Sequence, residues 1–378
     1  MKIAYTTIHD ALDISHWSGL DCSIARMLES QEADLDFIGN LHFSLNLLIR
    51  LKLRYYRHLS SLHFDLDREP FVARQYAHHI LNRLKPDTDL VFSPGSIPVA
   101  LLETHLPKVI YTDATFASLI NFYSSFSDLS SETIRHGHQL EKISLETASL
   151  IIYSSQWAAD SAIHTYGISP EKIQVVPFGS NLPGNRTLSD VSDLVQRRNT
   201  DRLDLLFIGV EWERKGGDQA VEITNRLNAS GIRTILHTVG SERIPCTINP
   251  DTIINHGYIS KCTCAGLSEL EQLFRTCHFL LLPTLADCTP VVYSEANSFG
   301  LPCISTKVGG IPTIIRNDIN GHLFSLPEEM TCLCDYIAAV FSDKAEYRSL
   351  CLSSFGEYQN RLNWSVSGKR IMKILGEL

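Results

Sequence analysis

The chain has 378 residues, 44% of them hydrophobic, and a formal net charge of −9. Single hydrophobic cores rarely grow past about 250–300 residues, so two domains are expected, and the acidic balance excludes the basic footprint of a nucleic-acid binder. No apolar run approaches the roughly 18–20 residues that span a bilayer, and the opening MKIAYTTIHDALDISHW lacks a signal-type apolar segment, so a cytoplasmic protein is expected.

Met1 to Thr6 reads as a strand, His9 to Trp17 as a polar loop, and Gly19 as the turn into a helix from Leu20 to Ser30. Further strands are predicted at Leu35–Gly39, Leu90–Ser93, Val109–Thr112, Ile151–Ser154 and Gln174–Val176, with helices in the gaps. Leu47 to Leu59 (LLIRLKLRYYRHL) interleaves aromatics with Arg50, Lys52, Arg54 and Arg57. It reads either as a packed helix with solvated cations or as a peripheral contact with an anionic membrane at the inner face. The stretch 183–203, rich in Asn, Arg, Asp and Ser and opening on Pro183-Gly184, reads as a linker between a domain over 1–182 and a second over 204–361. A new series of strands then runs Leu205–Gly209, Thr234–Val239, Ile253–Gly257, His278–Pro283 and Pro302–Ser305. Short apolar strands alternating with helices predict parallel, doubly wound α/β sheets.

Two segments of the second half carry chemistry. LLFIGVEWERKGGD, residues 205–218, is an apolar strand followed by a polar loop with Arg214 and Lys215, then Gly216-Gly217 entering a helix. Two adjacent cations at a helix N-terminus can neutralise the charge that develops on a departing diphosphate. DCTPVVYSEANSFGLPCISTKVGGIPT, residues 287–313, sets Asp287 at the end of an apolar run and Glu295 in a helix-like segment eight residues on. A helix opening just after Asp287 would aim the backbone N–H groups from Thr289 through Pro290 and Val291 to Val292 at a phosphate. The Glu295 carboxylate can accept the two hydrogen bonds that vicinal ribose hydroxyls offer.

Together these segments resemble the donor-sugar signature of glycosyltransferase family 4, with Asp287 where that family usually has Glu. The stretch 153–181 also looks like the last N-domain unit of those enzymes. The resemblance implies a GT-B architecture, two Rossmann-like doubly wound domains facing a central cleft, with a C-terminal helix over about 362–378 packing back on the first domain. It implies a nucleoside-diphosphate sugar as co-substrate, no further cofactor, no metal, and retention of the anomeric configuration. Asp287 would contact sugar hydroxyls, Glu295 the ribose, and Arg214 with Lys215 the diphosphate. Gly19 would let an N-domain loop approach the donor phosphate. Base contacts are expected from the loops holding Gly240, Gly257 and Ile259. Asp113, at the tip of the strand in IYTDATF, stands where the family often carries a polar group facing the anomeric carbon; the alternative is a strand-end cap. His136 and His138 follow in RHGHQ, on an expected mobile loop, with His138 the second catalytic candidate.

Other readings stay open. A nucleotide-sugar epimerase of the same architecture would need no acceptor, and a non-catalytic nucleotide-sugar-binding subunit would show no turnover. A dinucleotide enzyme and a P-loop enzyme are excluded, because neither G-x-G-x-x-G after the first strand nor G-x-x-x-x-G-K-[ST] occurs. The triplets Asp34/Asp36, Asp65/Asp67 and Asp87/Asp89 read as strand-entry and loop acids rather than metal ligands. The ten cysteines read as free thiols, since the pairs Cys262/Cys264 and Cys332/Cys334 are spaced more tightly than structural zinc ligands. The acceptor is unknown at this level.

Overall fold

The computed structural model describes all residues except 242, 243, 245–250 and 328. The chain divides into two compact units, Met1–Pro177 with Ser367–Leu378, and Phe178–Val366.

In the first unit β1 (Lys2–Thr6), β2 (Asp34–Ile38), β3 (Leu90–Ser93), β4 (Lys108–Thr112), β5 (Leu150–Tyr153) and β6 (Ile173–Val175) form one parallel sheet in the order β2-β1-β3-β4-β5-β6. Every residue of β3, β4 and β5 is buried, the pattern of strands covered by helices on both faces. The second unit repeats the plan with β7 (Leu203–Ile208), β8 (Thr234–Val239), β9 (Ile253–Asn255), β10 (Phe279–Leu282), β11 (Cys303–Thr306) and β12 (Gly321–Phe324) in the order β12-β11-β10-β7-β8-β9. That is the dinucleotide-fold order, with its topological switch between β7 and β10. Chain connections leave those two strands in opposite directions, which opens a crevice beyond their carboxyl ends.

Several expectations are corrected. The stretch 183–203 is not a linker, because it carries the helix Leu188–Gln196. Thr187 and Asp190 start that helix with a capping box: Thr187 donates through N and Oγ1 to Asp190 Oδ2, both at 2.8 Å, and Asp190 N returns a bond to Thr187 Oγ1 at 3.2 Å. Val191 and Val195, one turn apart, sink into the core of the second unit. Arg198 follows, 5% exposed, and donates to the carbonyl oxygens of Phe299 and Gly300 at 3.0 Å and of Arg275 at 3.3 Å, and to Tyr347 Oη at 2.8 Å. Arg275 lies in the last turn of the helix Cys264–Thr276, and Phe299 and Gly300 in the turn just past the helix Val292–Asn297, so one buried guanidinium ties together the ends of both. Residues 362–366 belong to the second unit, and only Ser367–Leu378 cluster with the first.

The strand β12 was not expected: GHLF follows Asn320 and has little strand signal, and it forms by pairing with β11 from Cys303↔Gly321 to Thr306↔Phe324. The RHGHQ segment is not a mobile loop but the middle of the helix Ser131–Thr147. Gly137 is a packing notch there, since a Cβ on it would lie 2.2 Å from the Phe116 ring. The nine described cysteines are free.

His278 shows how the second unit's core depends on a neutral imidazole. Its Nδ1 accepts from Asp204 N at 3.0 Å, so Nε2 carries the proton and donates to Asn199 O at 2.6 Å. Burial, then the Arg198 charge, lowers its pKa to about 4. The unfolded chain titrates near 6.5, so stability is full above that pH and falls as pH drops from 6.5 toward 4, by about 3 kcal/mol. Denaturant midpoints across this range are expected to fall more steeply in the native protein than in His278→Gln; equal slopes would contradict the assignment.

Candidate functional site

The residues that the sequence singled out in the second unit converge at the carboxyl ends of the switch strands. After β7 the chain turns through Gly209 to Gly216 into the helix Gly217–Ala229. Gly216 has φ +77°, and a Cβ there would sit 1.9 Å from the carbonyl oxygen of Pro283, so only glycine lets this loop lie against the end of β10. Arg214 stitches the two loops together: Nη1 donates to Ala286 O at 2.8 Å, and its own carbonyl accepts from Leu285 N at 2.8 Å and Thr284 Oγ1 at 3.0 Å.

Asp287 sits between the two cations. Its Oδ2 lies 2.6 Å from Lys215 Nζ and 3.2 Å from Thr284 Oγ1, and its Oδ1 lies 3.5 Å from Arg214 Nη1. With side chains 8%, 13% and 21% exposed for Asp287, Lys215 and Arg214, this is a largely desolvated cluster, and the more exposed Glu211 also accepts from Arg214 Nη2 at 2.8 Å, so two cations face two carboxylates. A buried carboxylate requires such partners. The acid expected at the sugar and the cations expected at the diphosphate are thus one unit.

The donor helix is shorter than expected, Val292–Asn297, and begins five residues after Asp287 rather than just after it. The intervening Pro290 removes one N–H, so the amides of the expected phosphate run are those of Thr289, Val291 and Val292. With six residues, the helix places Glu295 in its first turn rather than two turns beyond Asp287. The Glu295 side chain is fully buried, and both carboxylate oxygens meet Lys261 Nζ, at 2.6 and 2.7 Å. Lys261 had no signal in the sequence: it is a lone cation in SKCTC, 34 residues from its partner, and only tertiary contact finds it.

The expected base loops are knitted to this frame. Gly240, at φ +104°, donates its N–H to Gly257 O at 2.8 Å, and Gly209 N donates to Val239 O at 2.9 Å. Ile259 packs on the core, and Lys261 follows two residues on, so the loop after β9 reaches Glu295. On the other flank Gly310 N donates to Cys288 O at 2.7 Å, which fixes the Gly309-Gly310 turn against the Asp287 loop.

In the first unit Asp113 lies just past β4, half-buried, and accepts from Trp17 Nε1 at 3.2 Å. Trp17, Ser18 and Gly19 hold consecutive left-handed φ values of 41°, 55° and 73°. Two non-glycine residues in that region mark stored strain. The structure therefore joins the Gly19 turn to Asp113 through Trp17, which the sequence did not single out. His138 is not with them: its Nδ1 meets Tyr166 Oη at 3.0 Å, its ring packs on Phe116, and burial lowers its pKa. The Asp-x-Asp acids are spent on structural partners, Asp36 on Lys85 at 2.8 Å, Asp65 on Arg68 at 2.9 Å and Asp67 on Tyr76 at 2.6 Å. Glu69, Glu132 and His136 come close enough for a metal, but Lys52 Nζ is seated among them, 2.5 Å from Glu132.

The comparisons agree with this frame. Residues 202–343 match the family model described as "Glycosyl transferases group 1". The D-inositol 3-phosphate glycosyltransferase 1 of Catenulispora acidiphila is 22% identical over 254 residues, 62% of this chain and 58% of its own. The phosphatidylinositol N-acetylglucosaminyltransferase gpi3 subunit of Schizosaccharomyces pombe is 21% identical, over 63% of this chain and 50% of its own. The chain spans about half the length of the curated relatives it matches. The crystal structure of Anabaena Alr3699/HepE in complex with UDP superposes with a TM-score of 0.64 over all of both chains at 15% identity. The fold is thus that of the GT-B structures, and the match to the glycosyl transferases group 1 model falls within the second unit.

Proposed function

We propose that the protein is a glycosyltransferase that moves a sugar from a nucleoside-diphosphate sugar to a hydroxyl acceptor, with retention and without a metal. The observation that carries this reading is the Arg214–Asp287–Lys215 cluster, two cations held in a largely desolvated place at the β7/β10 switch, with the Glu295–Lys261 pair beside it. A UDP-sugar is the first donor to test, because the Anabaena structural neighbour holds UDP. In this reading Arg214 and Lys215 take the diphosphate. Asp287 keeps both cations aimed and reaches the sugar hydroxyls, and Glu295 takes the ribose while Lys261 offsets its charge. The bond from the anomeric carbon to the diphosphate oxygen breaks with its electron pair on the diphosphate. The acceptor oxygen bonds to that carbon, and its proton passes to the released phosphate. Fixed cations stabilise the departing charge, the role a divalent ion would otherwise fill. Asp113 is the proposed polar group on the acceptor side.

Incubation with UDP-sugars and an alcohol acceptor in excess EDTA is expected to release UDP and a glycoside whose anomeric configuration matches the donor. Activity lost on chelation and restored by Mn²⁺ would overturn the metal-free reading. An epimerised donor would indicate an isomerase.

The two acids are expected to separate by kinetics. Glu295→Ala should weaken UDP binding by about 1–3 kcal/mol, the cost of a lost charged hydrogen bond. Asp113→Asn should leave UDP affinity nearly unchanged and lower kcat, the signature of an interaction made in the transition state. Calorimetry beside steady-state rates reads both; full kcat in Asp113→Asn would reduce that residue to a strand-end cap holding Trp17.

We also propose peripheral membrane contact through the helix Leu47–His58. No described helix is long and apolar enough to cross a membrane. Yet this one buries only Ile49, while Leu47, Leu48, Leu51 and Tyr55 are 72%, 69%, 54% and 51% exposed. One face does pack, through Ile49, Lys52, Leu53 and Tyr56, and it leaves the apolar stripe on the opposite side. The apolar stripe lies beside exposed Arg50, Arg54 and Arg57, the composition that seats a helix on anionic lipid. Co-sedimentation with phosphatidylglycerol-containing vesicles is expected for the native chain and lost in Leu47→Ser/Leu51→Ser; equal binding of both would place the contact elsewhere.

A further inference from the structure

A cavity of about 970 Å³ opens at the other end of the switch strands, where β7 begins and the helix Cys264–Thr276 ends. The donor-site loops leave the carboxyl ends of β7 and β10, so a strand length, on the order of 20 Å, separates the two places. Five arginines and three aspartates line the cavity. We infer that it is a second anion-binding site, built to receive the phosphate of a small phosphate-bearing molecule.

Most of the acids at this cavity are already paired. Asp190 is committed to the Thr187 cap at 2.8 Å, and Asp204 to Arg202 at 2.8 Å and His237 at 3.3 Å. Glu271, behind the wall, is shared by Arg186 at 3.5 Å and Arg275 at 3.2 Å, one carboxylate for two guanidinium groups. Arg197 makes no ion pair among the described residues. Asp193, exposed and without an ion pair among the described residues, is the acid left over, so with Glu271 counted five guanidinium groups face four carboxylates, an excess of one.

Arg186 carries the most specific part. Its side chain is 11% exposed, and its guanidinium carbon lies 3.4 Å from the centre of the Phe299 ring, which fixes the plane of the fork. Nε and Nη1 are buried and have no hydrogen-bond partner among the described residues. Unsatisfied donors on a buried charged group are costly, and the oxygens of an anion can accept charge-assisted hydrogen bonds from each of them. Arg275 and Arg197 would complete the shell. The volume exceeds that of a bare phosphate and falls in the range of about 300–1,000 Å³ typical of organic ligands.

Inorganic pyrophosphate is the probe, titrated by calorimetry into the full chain and four variants. Arg214→Ala/Lys215→Ala removes the donor-loop cations, so a binding event that survives in it belongs elsewhere. The expected result is that such an event survives there, weakens at least tenfold in Arg186→Gln/Arg275→Gln, and weakens severalfold in Arg197→Gln. Arg197 is exposed, so that variant keeps the test valid should the double one fail to fold. No event in Arg214→Ala/Lys215→Ala and none once Asp287→Asn is added to remove its stranded carboxylate, or an event indifferent to all three cavity arginines, overturns the inference. Neither outcome bears on the donor reading, which is tested by turnover.

Discussion

Turnover in Arg214→Ala/Lys215→Ala is expected to fall by a factor on the order of 10² or more, the loss seen when a donor to a developing anion is removed from a desolvated site. The structure adds a complication to this variant. Asp287 is 6% exposed and would be left with Thr284 as its remaining neighbour from the cluster, and stranding a buried charge typically costs about 3–5 kcal/mol. A rate loss could then reflect partial unfolding. Adding Asp287→Asn removes the stranded charge, so the triple variant is expected to regain most of the stability and none of the rate. Chemical denaturation run beside UDP-release assays distinguishes the two effects. A triple variant with near-native turnover would show that these cations hold the loop together and do not serve the leaving group.

Arg198→Met is expected to destabilise the second unit by about 3–5 kcal/mol, although no carboxylate pairs with the residue. The methionine fills similar volume but leaves the Phe299, Gly300 and Arg275 carbonyls without their donor, each buried orphan costing about 1–3 kcal/mol. Two of those carbonyls lie just past the helix that carries Glu295, so UDP affinity is expected to fall together with stability. Arg197→Met, one residue earlier and exposed, is the control that should leave both unchanged. Equal denaturation midpoints for Arg198→Met and the native protein would mean that water replaces the guanidinium at no cost.

Arg198 also shows why one stretch of the sequence is misread. Residues 183–203 are polar enough to resemble a linker, and of the apolar positions in their helix only Val191 and Val195 are buried. What makes the segment structural is the set of carbonyls waiting 76 to 102 residues downstream, and composition carries no trace of them. RHGHQ fails in the opposite direction. Glycine between two histidines suggests mobility, whereas the missing Cβ is a socket for Phe116.

The sequence by itself determined the alternation of apolar strands and helices, the two-domain α/β plan, and the placing of Arg214, Lys215 and Asp287 just beyond strands with Glu295 on a following helix. Those features are local: a strand's apolar run and the glycines and charges just beyond it are set by neighbouring residues. Tertiary structure alone decided that Asp287 lies between Arg214 and Lys215, that Lys261 closes on Glu295, and that Trp17 reaches Asp113. These contacts join segments 34 to 96 residues apart in the chain that follow strands of the same sheet, the neighbours β7 and β10 for Asp287 and more distant strands for Lys261 and Trp17. Strand order, which the parallel crossovers fix and no single segment encodes, is the physical reason they meet.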